Sequence, residues 1–69
     1  MTTQTIVRRW MVDNADDFRD DDTGEFNMTV AAECAFTHFP DIEDDDEMPY
    51  EAAFEAAEIV ERNDRRAAR

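Results

Sequence analysis

Residues 41–61 read DIEDDDEMPYEAAFEAAEIVE, ten carboxylates with no arginine or lysine among them. Paired carboxylates are the raw material of general acid–base catalysis, but that chemistry needs two groups whose surroundings push their pKa values apart. Nothing in this spacing supplies such a pocket. The remaining catalytic repertoire is thin: the chain has no serine, no lysine, one histidine and one cysteine, and the expectation is a protein that is not an enzyme. Cys34 and His38 stand four residues apart and could share a face, yet two ligands fall short of the four of a structural zinc site or the three plus water of a catalytic one. A core cysteine and a histidine at the end of an element is the simpler reading. The acidic runs DDDTGE and DIEDDDE offer oxygens to calcium, but with Gly24 in the sixth position of a calcium loop Arg19 would occupy the first, and the second run has no glycine. No metal and no cofactor is expected.

What remains is charge. The chain of 69 residues carries a net charge of −12, and eighteen of its nineteen carboxylates lie in residues 13–61, where Arg19 is the one arginine or lysine. The ends are basic: Arg8 and Arg9 near the start; Arg62, Arg65, Arg66 and Arg69 near the finish. Such a field repels nucleic acid and anionic membranes and attracts basic proteins, so neither direct nucleic-acid binding nor membrane association is expected. The single cysteine rules out an internal disulfide, no apolar h-region opens the chain, and no apolar run approaches the roughly 20 residues of a membrane span. These features suit a cytoplasmic protein.

The elements that must position the carboxylates make one domain, residues 1–69, with a modest core. Five Phe, one Trp and one Tyr argue for a folded chain. TIVRRWMV, residues 5–12, is rich in β-branched and aromatic residues and reads as a strand, with Trp10 in its core face. DNADDFRDDDTGE reads as a loop in which one helical turn around Phe18, capped by Asn14, fits, and Gly24 marks its reversal. FNMTVAAECAFTH alternates Phe26, Met28, Val30, Ala32, Cys34 and Phe36 with more polar or smaller neighbours, which predicts a second, longer strand. From Pro49 the period becomes helical, with Tyr50, Ala53, Phe54, Ala57 and Val60 as an apolar stripe and Glu51, Glu55, Glu58 and Arg62 opposite. The predicted architecture is α+β: a small antiparallel sheet of two or three strands packed against one C-terminal amphipathic helix running from about 49 to the mid-60s. A homodimer stays open at this size.

Carboxylates four apart on a helix are spaced by about 6 Å, while phosphates on one strand of duplex DNA advance about 3.4 Å per step. Rows of carboxylates on a rigid scaffold therefore offer a phosphate-binding groove a comparable array of charge. With its short length, central block of acid, opening TIVRRWMV and closing amphipathic helix, the chain resembles phage-encoded DNA-mimic inhibitors, among them the small anti-CRISPR proteins that act on type I surveillance complexes. The resemblance is one of general character along the whole chain. It implies an inhibitor, working in an infected host cell, that covers the basic nucleic-acid-binding surface of a defence or DNA-processing protein such as a subunit of a CRISPR surveillance complex. The contact surface would draw on Asp16, Asp17, Asp20, Asp21, Asp22 and Glu25 from the first loop. It would add Asp41, Glu43, Asp44, Asp45, Asp46 and Glu47 from the second, and Glu51, Glu55 and Glu58 from the helix. Two other readings use the same residues: an adaptor for a basic protein without mimicry, and adaptation of the whole surface to a very salty cytoplasm, for which a lysine-free, aspartate-rich chain is the expected product.

Overall fold

A computed structural model describes residues 2–42 and 47–67. It contains three α-helices, α1 (Thr3–Asp13), α2 (Met28–His38) and α3 (Met48–Ala67), with short 3-10 turns at Ala15–Phe18 and Pro40–Ile42. The predicted α+β architecture is therefore overturned. Among the described residues there is no strand, and β pairing is reduced to a single antiparallel bridge between Arg19 and Phe26.

Both supposed strands are helices for reasons that lie partly in their own residues. The Thr2 hydroxyl accepts the Thr5 N–H at 3.2 Å and starts α1, and the Asn27 side-chain oxygen accepts the Val30 N–H at 3.1 Å and starts α2. Val7, Trp10 and Met11 recur at helical spacing on the face that enters the core. In α2 the residues that bury are Ala31, Ala32 and Ala35; alanine is the best helix former and is depleted in strands. Met28 and Val30, assigned to a buried strand face, stand exposed. The expected turn around Phe18 is present with Asn14 at its N-cap position, the Asn14 carbonyl accepting the Asp17 N–H at 3.0 Å, but the Asn14 side chain does not cap it. The Asn14 backbone N–H and side-chain amide both donate to the Trp10 carbonyl, so that side chain closes the C-terminus of α1 instead.

α3 is the central element, with α1 and α2 packed along it and touching each other much less. Gln4 and Arg8 both reach Glu55, and Val12 and Ala15 share a shallow hollow with Val60 and Asn63, so α1 runs in the same direction as α3. Phe36 meets Tyr50 while Phe26, just before α2, faces Ala57 and Val60, so α2 runs the opposite way. The result is a flattened unit of 40 × 27 × 15 Å. Its core is built largely of alanine: Ala31, Ala32, Ala35, Ala52, Ala53 and Ala56 surround Val7, Met11, Phe18, Ile42 and Met48. Small side chains let helix axes approach closely, at the cost of little apolar area per residue. Trp10 supplies the bulk that alanine lacks. It stacks on His38 at 4.6 Å between centroids, meets Phe39 at 5.4 Å edge-on and lies 5.3 Å from Phe18. That cluster ties the end of α2 to α1 and to the turn that follows α1.

The face that α3 buries is rotated from the predicted stripe. Ala52, Ala53, Ala56 and Val60 point inward, whereas Tyr50 and Phe54 are turned outward. Pro49 sits in the first turn, where a missing N–H costs nothing. Glu51 near the start and Arg65 and Arg66 near the end complement the helix dipole.

Candidate interaction surface

The first acidic segment is a closed loop. Phe18 is buried and its carbonyl accepts the Asn27 N–H at 2.7 Å, which brings the two ends of residues 18–27 together. Inside that closure the Asp20 N–H donates to the Glu25 carbonyl at 2.8 Å and the Gly24 N–H donates to the Asp20 carbonyl at 2.7 Å. The Asp20 carboxylate accepts the Asp22 N–H at 2.9 Å, and the Thr23 hydroxyl accepts the Glu25 N–H at 3.2 Å. Gly24 adopts a φ of +73°, a left-handed conformation that costs other residues roughly 1–2 kcal/mol. The reversal expected at Gly24 is thus present, but it leads into α2 rather than into a strand.

Arg19 holds this loop against α3. Its guanidinium donates to the Asp64 carboxylate through two bonds, at 2.9 and 3.1 Å, to the Gly24 carbonyl at 2.9 Å and to Asp16 at 3.1 Å. Asp64 and then Asp16 hold the Arg19 guanidinium above its ordinary pKa, and Arg19 in turn holds the Asp64 carboxyl below its ordinary value. Asp16, Asp17, Asp20, Asp21, Asp22 and Glu25 are all exposed around this frame. Neither Arg19 nor Asp64 figures in the predicted contact set. The signal for Arg19 was in plain sight, since it is the one arginine or lysine inside an acidic block of 49 residues.

The other predicted residues are arranged differently. Asp41 is exposed on the 3-10 turn after α2, Glu47 is exposed just before α3, and Glu43, Asp44, Asp45 and Asp46 lie outside the described residues. Glu51 and Glu58 are exposed on α3. Glu55 stands apart from them: it is half-buried, accepts from Gln4 and makes an ion pair with Arg8 at 3.0 Å, so it serves the α1–α3 contact. Glu61, four residues before Arg65, pairs with it at 2.7 Å, a spacing readable from sequence. Glu25 of the first loop comes beside Glu61 and Asp64 of α3, whereas Glu47 directly precedes the other end of that helix. At about 1.5 Å per residue, Glu47 and Glu61 are about 20 Å apart along α3. Among the described residues, carboxylates thus stand at both ends of α3, with Glu51 and Glu58 exposed between them.

Among the described residues no polar or charged side chain is buried, and no three His, Cys, Asp or Glu side chains are grouped as metal ligands. Cys34 is partly buried against the core and His38 is exposed while stacked on Trp10. No helix among the described residues is long and apolar enough to cross a membrane. What the arrangement can do chemically is present fixed negative charge to a cationic surface. No protein-family model, curated protein or solved structure matches this chain.

Proposed function

We propose that this chain is a non-enzymatic inhibitor that covers the basic nucleic-acid-binding surface of another protein by imitating the charge of DNA, a type I CRISPR surveillance complex being the target its general character suggests. The observation that carries this reading is the closed first loop. Four exposed carboxylates, Asp20, Asp21, Asp22 and Glu25, hang on a backbone fixed by its own hydrogen bonds and by Arg19, with Asp16 and Asp17 on the 3-10 turn just before it, so the spacing of the loop acids is set before any partner arrives. Preorganised charge meets a phosphate-binding groove without an ordering cost, and long-range attraction speeds the encounter. Glu51 and Glu58 extend the array along α3, while Glu55 is left to hold α1 in place.

The test is a pull-down with the tagged chain from host lysate, with duplex DNA titrated in as competitor. A mimic releases its partner as DNA rises, and its affinity falls steeply with salt. Capture of proteins that lack a nucleic-acid site, or retention under a large excess of DNA, would falsify mimicry and leave an adaptor for a basic protein.

A second reading is favoured by the alanine-dominated core. A core of that kind buries little apolar area, and a net charge of −12 opposes compaction in dilute buffer, as befits a protein shaped for a salty cytoplasm. Melting temperature against salt separates the two. A chain folded only in molar salt belongs to that habitat, and one already cooperative in dilute buffer does not.

A further inference from the structure

The outward face of α3 carries an apolar ridge that no charge-only account uses. Phe54 is 59% exposed and Tyr50 is 48% exposed, and at a spacing of four they lie one above the other on the helix. Tyr50 leans on the half-buried Phe36 of α2, with ring centroids 6.4 Å apart. One turn further along α3 the ridge runs into a hollow of about 280 Å³ whose floor is Phe26, Ala57 and Val60 and whose rim is Glu25, Glu61 and Asp64. Helix geometry also puts Glu51 and Glu58 within one turn of Phe54.

We propose that this ridge and hollow form the docking surface for a basic, amphipathic protein segment, with apolar side chains seated on Tyr50 and Phe54 and an arginine or lysine in the hollow. Charge complementarity chooses the occupant. An apolar floor accepts the methylene stem of a long cation; at the rim Asp64 is already paired with Arg19 and Glu61 with Arg65, which shows that the geometry suits a guanidinium and leaves Glu25 to take the incoming head. Glu25, across the hollow, has no partner for its carboxylate among the described residues. A second copy fits badly, because a symmetric contact on this face would set Glu51 and Glu58 against themselves in a protein of net charge −12. The proposal rests on the reading above only in taking the partner to be basic; it adds that affinity is anchored by aromatic contact, which DNA imitation alone does not require.

Two synthetic probes test it at physiological salt: an amphipathic leucine–arginine peptide and an oligoarginine of equal charge, each titrated into the full chain and followed by amide chemical shifts. The leucine–arginine peptide should bind about tenfold more tightly and move the resonances of Tyr50, Phe54, Phe26 and Ala57. Phe54→Ser should remove that advantage, leaving the melting temperature and the oligoarginine affinity as they were. Equal binding of the two peptides, or indifference to Phe54→Ser, overturns the ridge while leaving an acidic binder intact. If neither peptide binds, both the ridge and the basic-partner reading fall. Ridge resonances that shift with protein concentration alone would assign the face to a second copy and overturn the proposal.

Discussion

The two acidic regions of this protein hold their charges by different means. In the closed loop of residues 18–27, between α1 and α2, no helix or strand sets the positions of the carboxylates. They are placed by a glycine in a left-handed conformation, by backbone bonds across the closure and by one arginine reaching to a residue 45 positions away. On α3 the helix itself spaces Glu51, Glu55, Glu58 and Glu61, and tertiary structure only decides which of them stays available, taking Glu55 for Arg8. A loop array can therefore be dismantled from a distance by single changes. A helical array cannot, short of melting the helix.

The largest effect should come from Phe18→Ala. Phe18 is 4% exposed and packs between Trp10 and Phe26 at the mouth of the loop, so losing its ring should cost about 3–5 kcal/mol. Amide exchange should quicken through residues 18–27 first, and a uniform loss of protection across α3 as well would erase the contrast between the two regions. Gly24→Ala comes next. A Cβ there meets nothing within 4 Å, so the cost is purely conformational, about 1–2 kcal/mol, and an unchanged melting temperature would show that the loop backbone is not fixed as described.

Glu55→Gln should cost about 0.5 kcal/mol at low salt, shifting amides of α1 near Arg8 and none in the first loop. A response at Asp20 or Gly24 would mean that the two arrays are coupled. The smallest effect is that of Asp64→Asn, and it depends on pH. Arg19 holds the folded-state carboxyl of Asp64 below its ordinary value of 3.8, so the folded state binds that proton less readily than the unfolded state. Its stabilising contribution is fully present above the unfolded value and disappears as pH falls through the folded one. Wild type should melt slightly above Asp64→Asn at pH 6, and the gap should begin to narrow near about pH 4 and close only as pH falls through the folded-state value. A gap that persists in acid would sever the stability of the loop from the Arg19–Asp64 pair.

Sequence reasoning reached parts of this picture unevenly. The helix at Met48–Ala67 lies where Pro49 and the change of period put one, because twenty residues give a helical pattern room to declare itself. The two eleven-residue segments did not have that room. In FNMTVAAECAFTH almost every position is apolar or small, so alternation and helical spacing fit equally well, and the N-capping Asn27 was the better clue. In TIVRRWMV the β-branched residues favour a strand by propensity, and packing on α3 outweighed them. Of the contact residues, the exposure of the first-loop acids followed from composition, but the withdrawal of Glu55 into an ion pair did not, since its partners are 47 and 51 positions away in sequence.

The amino-acid sequence by itself determined the charge, its concentration between two basic ends, and a chain short enough for one small core. Those properties depend on composition and order alone. Tertiary structure decided which apolar side chains are spent inside. Ranking by hydrophobicity sends Tyr50 and Phe54 to the core, but the contacts of the three helices are filled by six alanines together with Val7, Met11 and Met48, and the rings of Tyr50 and Phe54 are left facing outward.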